Sequence, residues 1–304
     1  MIKRASSVDA PVLKGINKIA AGFTIIETML FLAIAGLIFA GLVAGTNGTI
    51  RQQRYKDSVQ GFVDDLRDLY SLAENTQVLD YDGTATCSGS TAKEGRGRSG
   101  CSVYGIYAVI LPSDAGGDNV EAYWVTGLDQ AQVESSSSDI AFMSKANVST
   151  YTMTKSPDSY QAIEAKKHSL LWGADVAVPC SQIERAFGPL TDGACGAGKT
   201  MGQRKYGTAI FIYRSPITGS INTLTYSTQG DNAGSVAYNM RDSGQCLGSA
   251  ISSFAHDDVS FCVTTGAGMS DGKGVRMVTV SGNGNNSNAV RLIEADAEEN
   301  RCNK

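Results

Sequence analysis

A lone carboxylate, Glu27, stands just ahead of an uncharged, apolar run from Met29 to Gly45. A carboxylate held in hydrocarbon is costly and is by default a functional group, because it must find a cation or polar partner. Two other groupings have residue types suited to chemistry. Gly193-Ala194-Cys195-Gly196-Ala197-Gly198-Lys199-Thr200 has the spacing of a phosphate-cradling loop. That chemistry needs a strand feeding the loop and a helix leaving it, so that backbone N–H groups surround the phosphates. Phe187-Gly188-Pro189-Leu190 precedes the motif, and Met201-Gly202-Gln203-Arg204 leads at once to an expected strand. Neither flank fits, so nucleotide binding is not expected. His256-Asp257-Asp258 joins a base to two acids, but no nucleophile with a recognisable local signature accompanies it, and a solvated turn is expected. No catalytic residue and no cofactor are assigned, and the chain is not expected to be an enzyme.

The seven cysteines lie from Cys87 onward. Cys87 and Cys101, Cys180 and Cys195, and Cys246 and Cys262 follow one another at similar short separations, and local pairing is the favoured expectation. A disulfide closing a loop of about 15 residues contributes roughly 3 kcal/mol in the chain-entropy model. Such bonds persist in an oxidising compartment. Spacing does not fix connectivity, and Cys302 is left as a free thiol or as a partner in a different pairing. Zinc is not expected, since there is no CxxC and no nearby histidine cluster.

These groups need elements to position them. Residues 1–22 carry Lys3, Arg4, Lys14 and Lys18 against Asp9, without sustained apolar periodicity, and read as a processing segment. Residues 23–45 would form about 34 Å of helix, enough for one membrane span. The basic leader favours a cytoplasmic N-terminus, although Arg51, Arg54 and Lys56 soon after the span weaken that signal. Beyond it, Val59, Phe62, Val63, Leu66, Leu69, Tyr70 and Ala73 recur at steps of three and four, with Asp57, Asp64, Asp65, Arg67 and Asp68 mostly off the stripe. An amphipathic half over 46–79 is expected, in a helix from about Phe23 to Asn75 roughly 80 Å long. Gly41, Gly45 and Gly48 predict a weakened junction, flexible or locally unwound.

The remaining residues, 80–304, suffice for one β-rich head. Ser102 to Leu111, Glu121 to Thr126, Tyr206 to Tyr213, Asn222 to Ser227, Val275 to Ser281 and Ala289 to Ile293 read as antiparallel strands. Turns are expected at Pro216 and Gly219 and at Asp271-Gly272-Lys273-Gly274, and exposed loops at Ser135 to Ser138 and Gly282 to Asn288. The fold class is therefore α+β: a long N-terminal helix packed on an antiparallel head.

Gly22-Phe23-Thr24-Ile25-Ile26-Glu27 and the apolar run after it resemble the N-terminus of type IV prepilins and type II secretion pseudopilins. Gln60-Gly61-Phe62-Val63-Asp64-Asp65-Leu66-Arg67-Asp68-Leu69-Tyr70-Ser71-Leu72-Ala73 and the closing pair Val275 to Val280 and Val290 to Ile293 are similar to the minor pilins and pseudopilins grouped as GspH/FimT-like. The resemblance implies cleavage between Gly22 and Phe23 by a prepilin peptidase, methylation of the new Phe23 N-terminus, and a filament-assembly role for Glu27. A staggered neighbour would bring its Phe23 amino group to that carboxylate, since a buried charge is tolerated when paired. The implied partners are other pilins or pseudopilins, the peptidase and an inner-membrane assembly platform. The implied location is a single-pass inner-membrane protein with an extracytoplasmic head, entering a pilus or pseudopilus. Family heads are generally smaller, so the stretch from about Pro112 to Lys205 is expected to be an elaboration between core strands.

Nucleic acid is the alternative partner, because some relatives of this class bind DNA in natural transformation. Lys93, Arg96 and Arg98 in a Gly-rich loop are the candidate contacts, with Lys199, Arg204 and Lys205 and then Arg291, Arg301 and Lys304 as further basic groups. Removing the leader's four basic residues and one acidic residue leaves 22 basic and 29 acidic, a charge of about −7. That balance disfavours a general nucleic-acid surface while permitting a local patch.

Overall fold

The computed structural model describes residues 24–75, 86–87, 101–110, 120–128, 138–146, 148–153, 160–162, 164–187, 195, 206–229, 254–265, 275–294, 296–299 and 301–302. They form a mixed α+β chain with an N-terminal apolar helix and antiparallel sheets. The chain divides into two units, residues 1–51 and 52–304.

Helix α1 (Ile25–Glu74) crosses that division. It contains no proline, and it stays helical through Gly41, Gly45 and Gly48, where a flexible or locally unwound junction was expected. Each glycine costs only about 1 kcal/mol, which the flanking turns of a long cooperative helix offset. Thr46 Oγ1 donates to Val43 O at 3.2 Å and Thr49 Oγ1 to Gly45 O at 3.4 Å within this stretch.

The second unit follows with β1 (Thr86–Cys87), β2 (Cys101–Ile110), β3 (Val120–Leu128), α2 (Asp139–Lys145), β4 (Tyr151–Met153), β5 (Tyr160–Ala162), β6 (Glu164–His168), β7 (Ala174–Ala177), α3 (Cys180–Phe187), β8 (Tyr206–Arg214), β9 (Ile221–Gln229), β10 (Val259–Thr265), β11 (Arg276–Val280) and β12 (Val290–Ile293). A five-stranded sheet has the order β6-β3-β2-β8-β9, a four-stranded sheet β12-β11-β10-β7, and a small sheet β1-β4-β5. Every neighbouring pair is antiparallel.

Strand alternation assigns the faces. Ile106, Ala108 and Ile110 of β2, Val120 and Ala122 of β3, and Ile210 and Ile212 of β8 join the core with the α1 stripe. The residues between them, Tyr107, Val109, Tyr123, Val125, Phe211 and Tyr213, enter a second core with Met143 and Ala146 at α2. This sheet is buried on both faces, so its central strands read as nearly unbroken apolar runs. A bulge between Val103 and Gly105 lets Tyr104 join the second core although it shares parity with Ile106. A Cβ on Gly105 would overlap the Ile212 carbonyl, so glycine permits that close approach.

The four-stranded sheet packs on the same α1 stripe through Val259, Phe261, Val263, Val278 and Val280. Buried Gln182 of α3 ties the sheets together, donating to Thr208 Oγ1 of β8 at 3.2 Å and accepting from the Ser260 N–H of β10 at 2.7 Å. The β8–β9 turn lies where Pro216 and Gly219 place it. Ser215 N–H donates to Ser220 O, and Gly219 has φ +74°, which glycine adopts without strain.

Two expectations are corrected. The stretch 112–205 is no simple elaboration: it supplies β3 and β6 to one sheet and β7 to the other, and Val120 and Ala122 are fully buried beside α1. Cys262 is bonded to Cys302, not to Cys246, with Cα atoms 5.6 Å apart across 40 residues of sequence. Strands β11 and β12 fold the C-terminus back under β10, so Cys262, Met277, Val275 and Cys302 form one buried cluster. Cys180 and Cys195 are bonded, Cα atoms 5.5 Å apart. Cys246 and the side chains of Cys87 and Cys101 lie outside the described residues. Replacing Cys302 with serine is expected to cost about 2–4 kcal/mol, read as a lower thermal midpoint. Non-reducing peptide mapping should recover Cys262 linked to Cys302, and a Cys246–Cys262 peptide would refute the pairing.

Candidate functional site

Glu27 occupies the first turn of α1. Its backbone N–H donates to Thr24 Oγ1 at 3.3 Å and the Thr28 N–H donates to Thr24 O at 3.2 Å, so Thr24 caps the helix. Thr24-Ile25-Ile26-Glu27 is thus also the spacing of a capping box, a signal legible in the sequence and passed over there. An acid in the first turn also suits the helix dipole. Gly22 and Phe23 lie outside the described residues.

Glu27 lies within Ile25–Val43, a 19-residue segment of α1 that is long and apolar enough to cross a membrane. Its large side chains are exposed on all sides, Ile26 to 78% and Phe39 to 69%. Soluble monomers rarely expose apolar patches beyond a few hundred Å², and a helix apolar all round requires lipid or protein around it.

The second half of α1 holds the head. Tyr55, Val59, Phe62, Val63, Leu66, Leu69, Tyr70 and Ala73 are all buried, with Phe62 edge-on to Phe261 at 5.7 Å between ring centroids. Two tyrosine hydroxyls fix its register. Tyr55 Oη donates to Val263 O at 2.9 Å and accepts from the Arg276 N–H at 2.7 Å, bridging a paired position of β10 and β11. Thr223 Oγ1 donates to Gly284 O at 2.8 Å, so Tyr70 Oη donates to Thr223 Oγ1 at 2.9 Å. Gly284 sits so closely over Ala289 that a Cβ there would overlap it. The Gly282 to Asn288 tract, expected as an exposed loop, is therefore partly a packed anchor for Tyr70.

An ionic clamp supplements the stripe. Asp65, expected off the apolar face, is buried, with Lys166 Nζ at 2.9 Å from Oδ1 and His168 Nε2 at 3.2 Å from Oδ2. Lys166 also donates to Asp68 Oδ2 at 2.8 Å. Strand β6, unrecognised as a strand because it reads Glu164-Ala165-Lys166-Lys167-His168, thus presents its charges to α1. His256 is likewise structural: its Nδ1 lies 3.0 Å from Thr223 O and 3.1 Å from Gly282 O, which places the proton on that nitrogen.

These contacts give a pH prediction. Burial pushes the Tyr70 hydroxyl up to about 12. Burial also raises Tyr55 against the bond from Arg276, and burial and then Asp139 raise Tyr213. Burial opposes the Lys166 charge, but hydrogen bonds to Asp68 and Asp65 outweigh it and its pKa is raised. Unfolded tyrosine and lysine lose protons near pH 10. The folded state then holds more protons than the unfolded one, so stability falls as pH rises beyond about 10. Phenolate absorbance and circular dichroism should change together between about pH 10 and 12. Phenolate formation by Tyr55, Tyr70 and Tyr213 well before unfolding would contradict this.

The remaining sequence candidates separate. Lys93, Arg96, Arg98, Lys199, Arg204 and Lys205 lie outside the described residues, while Arg291 and Arg301 are exposed. The phosphate-loop motif is described only at Cys195, which is disulfide-bonded. Helix α3 precedes it and strand β8 follows it, the reverse of the order that phosphate binding requires. Among the described residues no cluster of three His, Cys, Asp or Glu could hold a metal ion. The chain matches no family model, no curated protein and no solved structure.

Proposed function

We propose that the chain is a filament subunit of the type IV pilus and type II secretion class, a GspH/FimT-like minor pilin or pseudopilin with no enzymatic activity. The observation that carries this reading is one helix with two opposite halves: an apolar, exposed half headed by Glu27, and a half whose stripe is consumed by the β-rich head. Such a chain has spent its amphipathic surface on its own fold and still carries a surface that needs lipid or neighbours on every side. In this reading a prepilin peptidase cuts between Gly22 and Phe23 and methylates Phe23. The subunit waits as a single-pass inner-membrane protein with a cytoplasmic N-terminus, a membrane helix over 23–45 and an extracytoplasmic head. An assembly platform then moves it into a pilus or pseudopilus beside other pilins. Disulfides Cys180–Cys195 and Cys262–Cys302 support the extracytoplasmic head.

The test is the intact mass of the protein made with and without a prepilin peptidase. Loss of residues 1–22 and gain of one methyl group at Phe23 are expected only with the enzyme. Cleavage near Val43-Ala44-Gly45 instead would make the segment an ordinary signal peptide and end the filament reading.

A further inference from the structure

We infer that the Leu171-Trp172 turn is a membrane-interface contact, made to the phospholipid headgroup layer while the chain is membrane-resident. The inference rests on the reading of Ile25–Val43 as a membrane span. Trp172 has φ 63° and is the non-glycine residue with positive φ among the described residues. Gly173 follows at φ 69°. Glycine or asparagine would make such a turn with little strain, whereas a bulky residue does so at a cost, and strain of this kind marks functional positions. Leu170 and Ala174 on either side are buried in the main core, yet Leu171 and Trp172 are 54% and 58% exposed. The turn is therefore held firmly while its two large apolar side chains face outward.

The Arg54 guanidinium lies over the Trp172 ring, 4.5 Å from its centroid. An indole with an apolar body and polar edge, beside an arginine whose stem is apolar and whose head is charged, suits the headgroup layer. The chain puts Arg54 near that depth. Arg51 is the first charged residue after Glu27, and the 24 helical rises from one to the other cover about 36 Å, just over a hydrocarbon core of about 30 Å. Arg54 follows one turn later, and with Arg51 and Lys56 it makes this stretch attractive to anionic headgroups.

The full-length protein should be reconstituted in vesicles of phosphatidylcholine and phosphatidylglycerol whose acyl chains are brominated near the headgroup. Trp124, the second tryptophan, is packed against the main core and serves as an internal reference. The expected result is bromine quenching of an emission component that Trp172→Phe removes, that weakens in Arg54→Gln, and that persists when protein is diluted into more lipid. Equal quenching of wild type and Trp172→Phe, with the protein still resisting alkaline extraction, would overturn the inference and leave the membrane span standing. Extraction of the protein by alkali would overturn both. Quenching by neighbouring protein lost on dilution, without bromine quenching, would assign Trp172 to a second copy of the chain instead.

Discussion

On the proposed filament reading, Glu27→Ala protein is expected to be processed, inserted and folded, yet absent from sheared filaments. Two roles for this carboxylate differ in size. As a first-turn acid it favours the helix by about 0.3–1 kcal/mol through the dipole, and Thr24 continues to cap the helix without it. As the partner of a neighbour's Phe23 amino group in a packed bundle, its removal leaves a buried charge unpaired, at about 3–5 kcal/mol. At about 1.4 kcal/mol per factor of ten, the second role predicts a loss of incorporation of two to three orders of magnitude, and the first less than one. Quantitative immunoblots of filament and membrane fractions separate these outcomes. Glu27→Gln should fail almost as badly, because the amide has the shape but not the charge. Incorporation at the normal level in Glu27→Ala would confine Glu27 to its role as a first-turn acid and count against the filament reading.

Phe62→Ala should be the most damaging single truncation in the head. Phe62 is 1% exposed, lies at the centre of the α1 stripe and meets Phe261 edge-on. Emptying that site removes the transfer free energy of the ring and leaves a cavity between α1 and the four-stranded sheet, together about 3–5 kcal/mol. For a domain whose total stability is about 5–15 kcal/mol, that is a third or more of it in many cases. Urea unfolding of the detergent-solubilised protein should show a markedly lower midpoint with little change in slope. Asp64→Ala, one residue beyond the stripe and exposed, should shift it by no more than about 0.5 kcal/mol. Comparable losses from the two substitutions would mean that the stripe does not hold helix to sheet.

Much of the fold is legible because periodicity and parity are local. The α1 stripe is written in steps of three and four, and each of its expected positions is buried. Strands β2, β8, β9, β11 and β12 announce themselves by β-branched and aromatic residues between turn formers, and they occur within a residue or two of where those patterns place them. Strand β6 escapes because its charged residues pair with Asp65 and Asp68 of the helix, so it lacks an apolar face to reveal it. Strand β10 is not among the expected strands, although Val259, Phe261 and Val263 alternate with Ser260, Cys262 and Thr264 and enter the main core.

The sequence by itself determined the division of labour along the chain: a membrane-grade apolar helix with one acid at its head, an amphipathic continuation, and an antiparallel, cysteine-bearing remainder. Those properties depend on residue type and spacing within a few turns, so they survive without knowledge of what touches what. Only the tertiary structure decided that Cys302 belongs to Cys262, that 112–205 completes both sheets, that Asp65 is buried against Lys166 and His168, and that Trp172 is held outward in a strained turn over Arg54. Each of these is set by sheet order and by the closure of a shared core, which bring residues 40 to more than 100 positions apart into contact. No local spacing encodes such a meeting.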